Sequence, residues 1–412
     1  MEPIYTSCCG LDVHKRSIQA CVRRLDKEGR VHQEVRAFGT MTRDILTLSD
    51  WLTEQEVTHV AMESTGVFWK PIYNILEGKF TLLLVNAKHV KHVPGRKTDV
   101  KDCQWLSQLL QCGLLKASFV PGRPQREFRD LTRHRAQLVT ERGSVANRIH
   151  KVLEDANIKL GAVATDILGK SGRDMIMALI EAKITPDEMA DLARQQLREK
   201  IPQLCLALEG NVTDHHRFVL KHLMDHLDYL ESQIETFSRR IEEISRPFEG
   251  AIEAVAKLPG IQSRSAENII AEIGYNMEQF PSDEHISSWA GISPGNNESA
   301  GKRKSGKTTK GSRWLRSALT QAAWAASRKK GSYFQAQYRR LAGRRGKKRA
   351  VIAVGHSLLV SIYHILKNKT DYKELGGDYF DKINSKRLVP YLVKRLENLG
   401  YEVDLSPRQK AA

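Results

Sequence analysis

Residues 4–85 contain segments with the hydrophobic period of a strand and segments with the hydrophobic period of a helix. Few folds have strands and helices in the order that these segments predict. Residues 4–13 have the pattern of a strand, and a second alternation places Ile18, Ala20 and Val22 on one face. After a turn at residues 26–29, the pattern predicts strand 31–38, helix 42–53, strand 58–63, helix 68–76 and strand 80–85. The order is therefore three strands, a helix, a strand, a helix and a strand.

This order is typical of a ribonuclease-H-like α/β fold, in which an antiparallel meander is extended by parallel strands. Residues 123–157 then have a helical pattern of mixed charge, and a mainly helical region begins near residue 252. We therefore expect an α/β plus α chain with an N-terminal domain at 1–118, a helical middle region at 119–250, a further helical domain at 251–375 and a tail at 376–412.

Four carboxylates occupy positions that this fold brings together. Asp12 ends the first predicted strand and Glu63 ends the fourth, while Asp99 and Asp102 stand three apart at the start of a helix and share one face. Such a cluster repels itself, and Mg²⁺, which binds carboxylate oxygens, relieves that repulsion. One or two Mg²⁺ ions on these four residues would suit phosphoryl transfer. Alternatively, each acid is a helix cap or a solvated charge.

The middle region contains a long apolar stripe that favours a coiled coil. Its steps alternate between 3 and 4 residues on an a/d template. The positions are Leu220, Leu223, Leu227, Leu230, Ile234, Phe237, Ile241 and Ile244. The stripe predicts a seam between protomers, and the open alternative is a long helix that packs within its own chain.

A block of 72 residues, from Ser299 to Thr370, contains 19 Lys and Arg residues and no Asp or Glu. The whole chain carries a formal charge of +17, so the excess of positive charge lies in this block. A field so concentrated is typical of a surface that binds nucleic acid rather than of a solvated face.

Other features of the composition exclude several classes of protein. The hydrophobic content of 41% indicates a globular chain, and neither an apolar run of membrane-spanning length nor a signal peptide is evident. None of the six cysteines has the paired spacing of a zinc site, so we expect reduced thiols and a cytoplasmic protein.

The segment 289–304 is rich in turn-forming residues and presents Ser299 on a predicted loop. A serine that attacks a phosphodiester needs positive charge close to the phosphate. The cations available are Lys302, Arg303, Lys304, Lys307, Lys310, Arg313 and Arg316. Ser305 and Ser312 are equally eligible on this chemistry alone, and Tyr363, near His356 and His364, is the candidate for tyrosine chemistry, although it lacks flanking arginines.

Two sets of motifs in this sequence resemble those of a known family. GLDVHK at 10–15, MESTG at 62–66 and PGRKTDVKD at 94–102 resemble the DEDD signature of insertion-sequence family 110 transposases. LPGI at 258–261, which is also typical of a helix–hairpin–helix turn, WAG at 289–291 and ESAG at 298–301 resemble the C-terminal domain of that family. The resemblance extends from about residue 8 to residue 380, in the family's order.

The resemblance implies a DNA recombinase that moves its own insertion sequence. It implies a RuvC-like domain whose metal ligands are Asp12, Glu63, Asp99 and Asp102, and a second domain with Ser299 as nucleophile. It also implies a noncoding bridge RNA that selects donor and target DNA. Finally, it implies a homo-oligomer, a dimer or a synaptic tetramer, whose active sites combine domains of different protomers. Several relatives have Ser-Gly where this chain has Ser299-Ala300.

Two rival functions remain open. A hydrolytic nuclease or junction resolvase would use the carboxylates alone, and Ser299 would then only contact phosphate. A non-enzymatic architectural protein would use the basic block alone, and the acids would be structural. The carboxylate quartet argues against the architectural protein, and the serine separates a transposase from a nuclease.

Overall fold

A computed structural model describes residues 3–64, 66–87, 90, 102–295, 297–308 and 310–406. The chain forms two compact units, Met1–Pro121 and Gly122–Ala412, here called the N-terminal unit and the C-terminal unit. Each unit is described by itself.

The N-terminal unit is built on one mixed sheet of five strands. Its elements are β1 (Ser7–Val13), β2 (Ile18–Leu25), β3 (Val31–Phe38), α1 (Thr42–Glu54), β4 (His59–Glu63), α2 (Trp69–Leu76), β5 (Thr81–Val85) and α3 (Asp102–Gln111). The strand order is β3-β2-β1-β4-β5, with antiparallel pairs β1–β2 and β2–β3 and parallel pairs β1–β4 and β4–β5. The expected α/β fold, a meander extended by parallel strands, is confirmed.

Both faces of the sheet are covered at β1 and β4, which explains why consecutive residues of these strands, Cys8–Leu11 and Val60–Met62, are buried. On one face Leu11, Val60 and Met62 pack with residues of α1 and α2. On the other face Cys8 and Ala61 pack with residues of α3. The six cysteines are free thiols, as expected, and four of them are buried.

The C-terminal unit is mostly helical. A short 3-10 helix lies at Gln195–Lys200, and the unit begins with a group of six α-helices. They are α4 (Arg123–Asp155), α5 (Leu160–Val163), α6 (Lys170–Glu181), α7 (Pro186–Ala190), α8 (Ile201–Leu208) and α9 (Asp214–Ser245). The helices α4 and α9 are each about 50 Å long. They run antiparallel, because Arg142 of α4 pairs with Glu231 of α9 while Asp155 at the end of α4 pairs with His216 near the start of α9.

The apolar stripe of α9 is buried against its own chain. Leu220, Leu227 and Leu230 share a core with Val145 and Ile149 of α4 and with residues of α6. The apolar stripe expected to contact another protomer therefore packs against helices of its own chain, which is the alternative that the sequence left open. The reason is that the second half of α4 offers a complementary apolar face, which includes Val145, Ile149 and Leu153. The stripe thus gives no support for an oligomer.

The second part of the C-terminal unit contains the remaining elements. They are α10 (Glu249–Ala256), α11 (Ser263–Ile273), α12 (Asp283–Trp289), β6 (Asn297–Ser299), β7 (Lys302–Ser305), α13 (Arg313–Ala326), α14 (Tyr333–Arg345), α15 (Lys347–Asn368), α16 (Tyr379–Ile383) and α17 (Ser385–Glu397). The predicted hairpin at 258–261 joins α10 to α11. Its Gly260 has φ +82°, and a Cβ there would lie 2.5 Å from the carbonyl oxygen of Ala322, so close packing on α13 requires this glycine.

The helix α15 corrects the expectation that no apolar run has membrane-spanning length. Its 22 residues satisfy that criterion by length and composition. However, half of the apolar window is buried, and Val354, Leu358 and Ile362 are fully enclosed. The helix contacts α13 and α14, so α15 serves as the core helix of this part of the unit.

Candidate functional site

Two of the predicted carboxylates lie at neighbouring strand ends in the N-terminal unit. The parallel register pairs Gly10 with Ala61 and Leu11 with Met62, so Asp12 and Glu63 are next to each other at the carboxyl edge of the sheet. Adjacent strands are about 4.8 Å apart. Side chains alternate along a strand, so Asp12 shares its face with Gly10 and Glu63 shares its face with Ala61, the face that α3 covers.

Gly10 allows α3 to lie directly on β1. A Cβ at this position would be 2.4 Å from the carbonyl oxygen of Cys103 and 2.5 Å from the backbone nitrogen of Ser107. The absence of a side chain thus brings the first turn of α3, which begins at Asp102, onto the face that carries Asp12. Burial, then Cys21, then Asp12 raise the pKa of the Cys103 thiol to about 11, so this thiol stays neutral beside the carboxylates at pH 7.

His14 is a neighbour of the carboxylates to which the sequence interpretation assigned no role. Its Nε2 lies 3.1 Å from Oδ2 of Asp12. The histidine is exposed, and its backbone nitrogen donates to the carbonyl oxygen of Ser17 in the β1–β2 turn. The sequence could have predicted this contact, since residues two apart near the end of a strand lie on the same face.

The donor chemistry at this edge fits a hard divalent cation. Asp12 and Glu63 provide carboxylate oxygens at adjacent strand ends, and Asp102 starts the helix that covers the same face. Among the residues that the structure describes, no three acidic, histidine or cysteine side chains form a metal-binding group. Asp99, the fourth predicted ligand, lies outside the described residues.

The predicted serine lies at a hairpin in the C-terminal unit. The expected loop is in fact a two-stranded sheet, in which Ser299 ends β6 and its backbone pairs with Lys302 of β7. Ala300 and Gly301 form the turn with φ +51° and +73°, and positive φ at both central residues is the mark of a type I′ turn. The side chains of Ser299, Arg303 and Lys304 lie outside the described part of the structure.

The structure gives the other candidate nucleophiles structural roles. Ser312 caps α13 by accepting from the backbone nitrogen of Leu315, and its hydroxyl donates to Glu272 at 2.9 Å. Tyr363 is 1% exposed, and its hydroxyl donates to the carbonyl oxygen of Phe280 at 3.1 Å. Ser305 is half-buried and accepts from the backbone nitrogen of Lys307.

The described cations of the predicted binding set face solvent. Lys302, Lys307, Lys310 and Arg313 are exposed, and none of them forms an ion pair within the described chain. Arg316 is half-buried and donates to the carbonyl oxygen of Gly291 at 3.4 Å, so part of its role is to hold the segment before the hairpin.

A second group of cations lies at the junction of α14 and α15, and the sequence interpretation did not separate it from the rest of the basic block. These side chains are all exposed, namely those of Arg339, Arg340, Arg344, Arg345, Lys347, Lys348 and Arg349. The block is therefore presented to solvent at more than one place on the C-terminal unit.

A buried ionic network holds the start of α13, the helix that follows the hairpin. Glu272 of α11 is 2% exposed and accepts from Arg133 of α4 at 2.6 and 2.9 Å, while Ser312 donates to the same carboxylate. Arg129 donates to the carbonyl oxygens of Ala271 and Glu272. Burial lowers the pKa of Arg129 to about 10, although Glu272 opposes that shift. The network joins three helices.

Comparison with known families assigns both units to one class of protein. Residues 9–158 match a model described as a transposase, of the DEDD type of IS110 elements. Residues 252–339 match a model described as a transposase of the IS116/IS110/IS902 family. No curated protein matches the chain.

The fold and the two matches define a DNA-processing enzyme of the transposase class, with DNA as its partner. Together the matched segments cover more than half of the chain. The chain belongs to the IS110 family of transposases. Its DEDD-type domain indicates the use of a divalent metal.

Proposed function

We propose that this transposase cuts and rejoins DNA through a covalent bond between Ser299 and the DNA backbone. The observation that supports the proposal is that the two units provide different chemical groups. The N-terminal unit has carboxylates at adjacent strand ends, and the C-terminal unit has a serine backbone position at a tight turn beside exposed cations. The first arrangement suits a metal ion and the second suits a nucleophile that acts on phosphate.

The proposed reaction conserves the energy of the phosphodiester. The Ser299 oxygen attacks phosphorus after its proton passes to solvent, a serine–phosphate bond forms, and the bond to one deoxyribose oxygen breaks and leaves a DNA hydroxyl. The hydroxyl of a partner strand then attacks the same phosphorus and releases the serine. Because no step is a hydrolysis, strand exchange needs no nucleotide cofactor.

Each group has a defined task in this scheme. Asp12, Glu63, Asp99 and Asp102 would hold Mg²⁺, as one or two ions, and the bound metal would supply positive charge to the phosphate oxygens. His14 would hold the Asp12 carboxylate through its 3.1 Å contact. Lys302, Lys307 and Lys310, with Arg303, Lys304, Arg313 and Arg316, would neutralise the DNA backbone.

We also propose the partners that the family resemblance implies. A bridge RNA would choose donor and target by base pairing, and protomers would assemble so that a metal-binding domain and a serine domain come from different chains. The exposed cations of the basic block support RNA binding by charge.

A hydrolytic nuclease is the second candidate. Asp12 and Glu63 lie at adjacent strand ends irrespective of the hairpin, and a metal site at such an edge suffices for phosphodiester hydrolysis. In that case the DNA would be cut without any protein–DNA bond.

The decisive experiment is mass spectrometry of the DNA adduct. The chain is incubated with DNA, its flanking noncoding RNA and Mg²⁺, then denatured and digested with protease. We expect a phosphodiester on Ser299, its loss in Ser299→Ala, and its retention in the matched control Ser305→Ala. Asp12→Ala and Asp102→Ala should lose strand cleavage but retain DNA binding. DNA cut without an adduct would establish the nuclease instead, and an adduct on Ser305 would show that the wrong serine was chosen.

A further inference from the structure

A cavity of about 300 Å³ lies within the C-terminal unit, between α4, α11 and α13. It is separate from the serine hairpin in sequence, and none of the roles proposed above uses it. Pockets for small molecules begin at about this volume, so the cavity accommodates one nucleotide-sized group and excludes a duplex. Three different helices form its walls, and their relative positions are fixed by the Glu272 network.

The charge of the cavity is positive. Its walls carry Arg133, Arg135 and Arg264 against one carboxylate, that of Glu272. Arg133 already neutralises Glu272, and Arg135 pairs with Glu267 at 2.7 Å. Arg264 is exposed at the rim and forms no ion pair within the described chain, so its guanidinium is available to an anion.

The remaining lining has an aromatic and an amide component. Trp314 lies in the wall, and its ring centroid is 4.7 Å from the guanidinium of Arg313 and 5.9 Å from that of Arg133. Asn268 and Gln321 contribute side-chain amides, which bind the edges of bases. An indole, amides and an unpaired cation in one cavity match the three parts of a nucleotide, namely a flat ring, a polar edge and a phosphate.

We infer that this cavity binds one unpaired nucleotide of a nucleic-acid strand, with the base on Trp314 and the phosphate at Arg264. A paired base is unavailable to such a pocket because it is stacked within its duplex, whereas a base in a single strand enters at little cost. The inference rests on the nucleic-acid-binding role proposed above and adds a specific subsite to it. The strand is either displaced DNA or a loop of RNA.

The test measures binding of the full chain to short fluorescein-labelled single strands, as DNA and as RNA, and to the matched duplex. Trp314→Ala should weaken binding to the single strand about 5- to 150-fold, as expected for loss of one stacked base, with a smaller effect on the duplex. The matched control is Trp324→Ala, a partly exposed tryptophan on the same helix that does not line the cavity, and it should bind as the wild type does.

A second readout separates a binding role from damage to the fold. Single abasic nucleotides are placed at successive positions of the strand, and the wild type should lose affinity at one position or a few. Trp314→Ala should be insensitive to the same abasic sites, because the base and the indole act as a pair. Arg264→Gln, which changes an exposed side chain, should reduce the slope of log K against log salt by about 1.

The type of strand whose binding the cavity variants weaken identifies the source of the nucleotide. Weaker binding of RNA alone indicates the guide, and weaker binding of DNA alone indicates a substrate strand. Single-strand binding that is unchanged in both Trp314→Ala and Arg264→Gln would overturn the inference, and so would equal losses for the duplex. The Ser299 adduct is measured in parallel. If the adduct forms while the cavity variants bind normally, the nucleotide site fails and the transposase mechanism survives.

Discussion

Replacement of Glu272 by alanine should be among the most damaging single changes in the C-terminal unit. The carboxylate is 2% exposed and accepts three hydrogen bonds, two from Arg133 and one from Ser312, while Nε of Arg129 lies 4.0 Å away. Its removal leaves Arg129 and Arg133 without their carboxylate partner, and water can reach this site only through the adjoining cavity. Loss of one partner from a buried ion pair costs about 3–5 kcal/mol.

The lower end of that range applies here, because Arg133 keeps 31% of its side-chain exposure and water can solvate part of its charge. We therefore expect Glu272→Ala to lower the free energy of unfolding by about 3 kcal/mol and the Tm by about 5 to 10 °C. Glu272→Gln should be intermediate, since an amide oxygen still accepts from Arg133 or Ser312 but carries no charge.

The assay is thermal and urea unfolding of the full chain, followed by circular dichroism. The control is Glu253→Ala, which removes an exposed glutamate from the neighbouring helix α10. If Glu272→Ala were as stable as Glu253→Ala, the network would not hold the three helices together, and the account of how the start of α13 is positioned would be wrong.

Three further predictions follow from single contacts. Ala300→Gly should relieve a left-handed backbone conformation worth about 1 kcal/mol and slow hydrogen exchange at Lys302 about fivefold, and faster exchange would contradict the turn assignment. Leu227→Glu should destabilise the chain by more than about 3 kcal/mol while Tyr229→Glu, at an exposed position, should not; a folded Leu227→Glu protein of lower mass by light scattering would restore the seam between protomers. The pKa of Cys103 is raised from 9.0 to about 11, so between these pH values the folded chain keeps a proton that the unfolded chain releases. The free energy of unfolding should therefore fall as the pH rises from 9 to 11. Urea unfolding of Cys103→Ala across that range should show a shallower decline.

The sheet was predictable because its strands show either alternation, as in β2, or a short apolar run, as in β5. The sequence also placed Asp12 and Glu63 at strand ends, and the parallel register brings those ends side by side. The contact between His14 and Asp12 could have been anticipated from the same alternation.

Other features depend on partners that a sequence pattern does not identify. The stripe from Leu220 to Ile244 shows that α9 has an apolar face, but the same stripe fits a second protomer or the face of α4. Glutamates are rarely buried, so nothing in the sequence marked Glu272 as a buried residue. The hairpin at Ser299 was hidden because Ala300 occupies a position where Asn or Gly would have indicated a type I′ turn.

Gly10 sets a limit on how this enzyme can vary. Every other amino acid adds at least a Cβ, and that atom would overlap the backbone of α3, at Cys103 and Ser107, rather than a side chain that can turn aside. No rotamer change relieves such an overlap, so the helix itself must retreat, and Asp102 would retreat with it. Mutational tolerance at this position therefore measures how accurately the carboxylates of the proposed metal site must be spaced, although glycine itself takes no part in the chemistry.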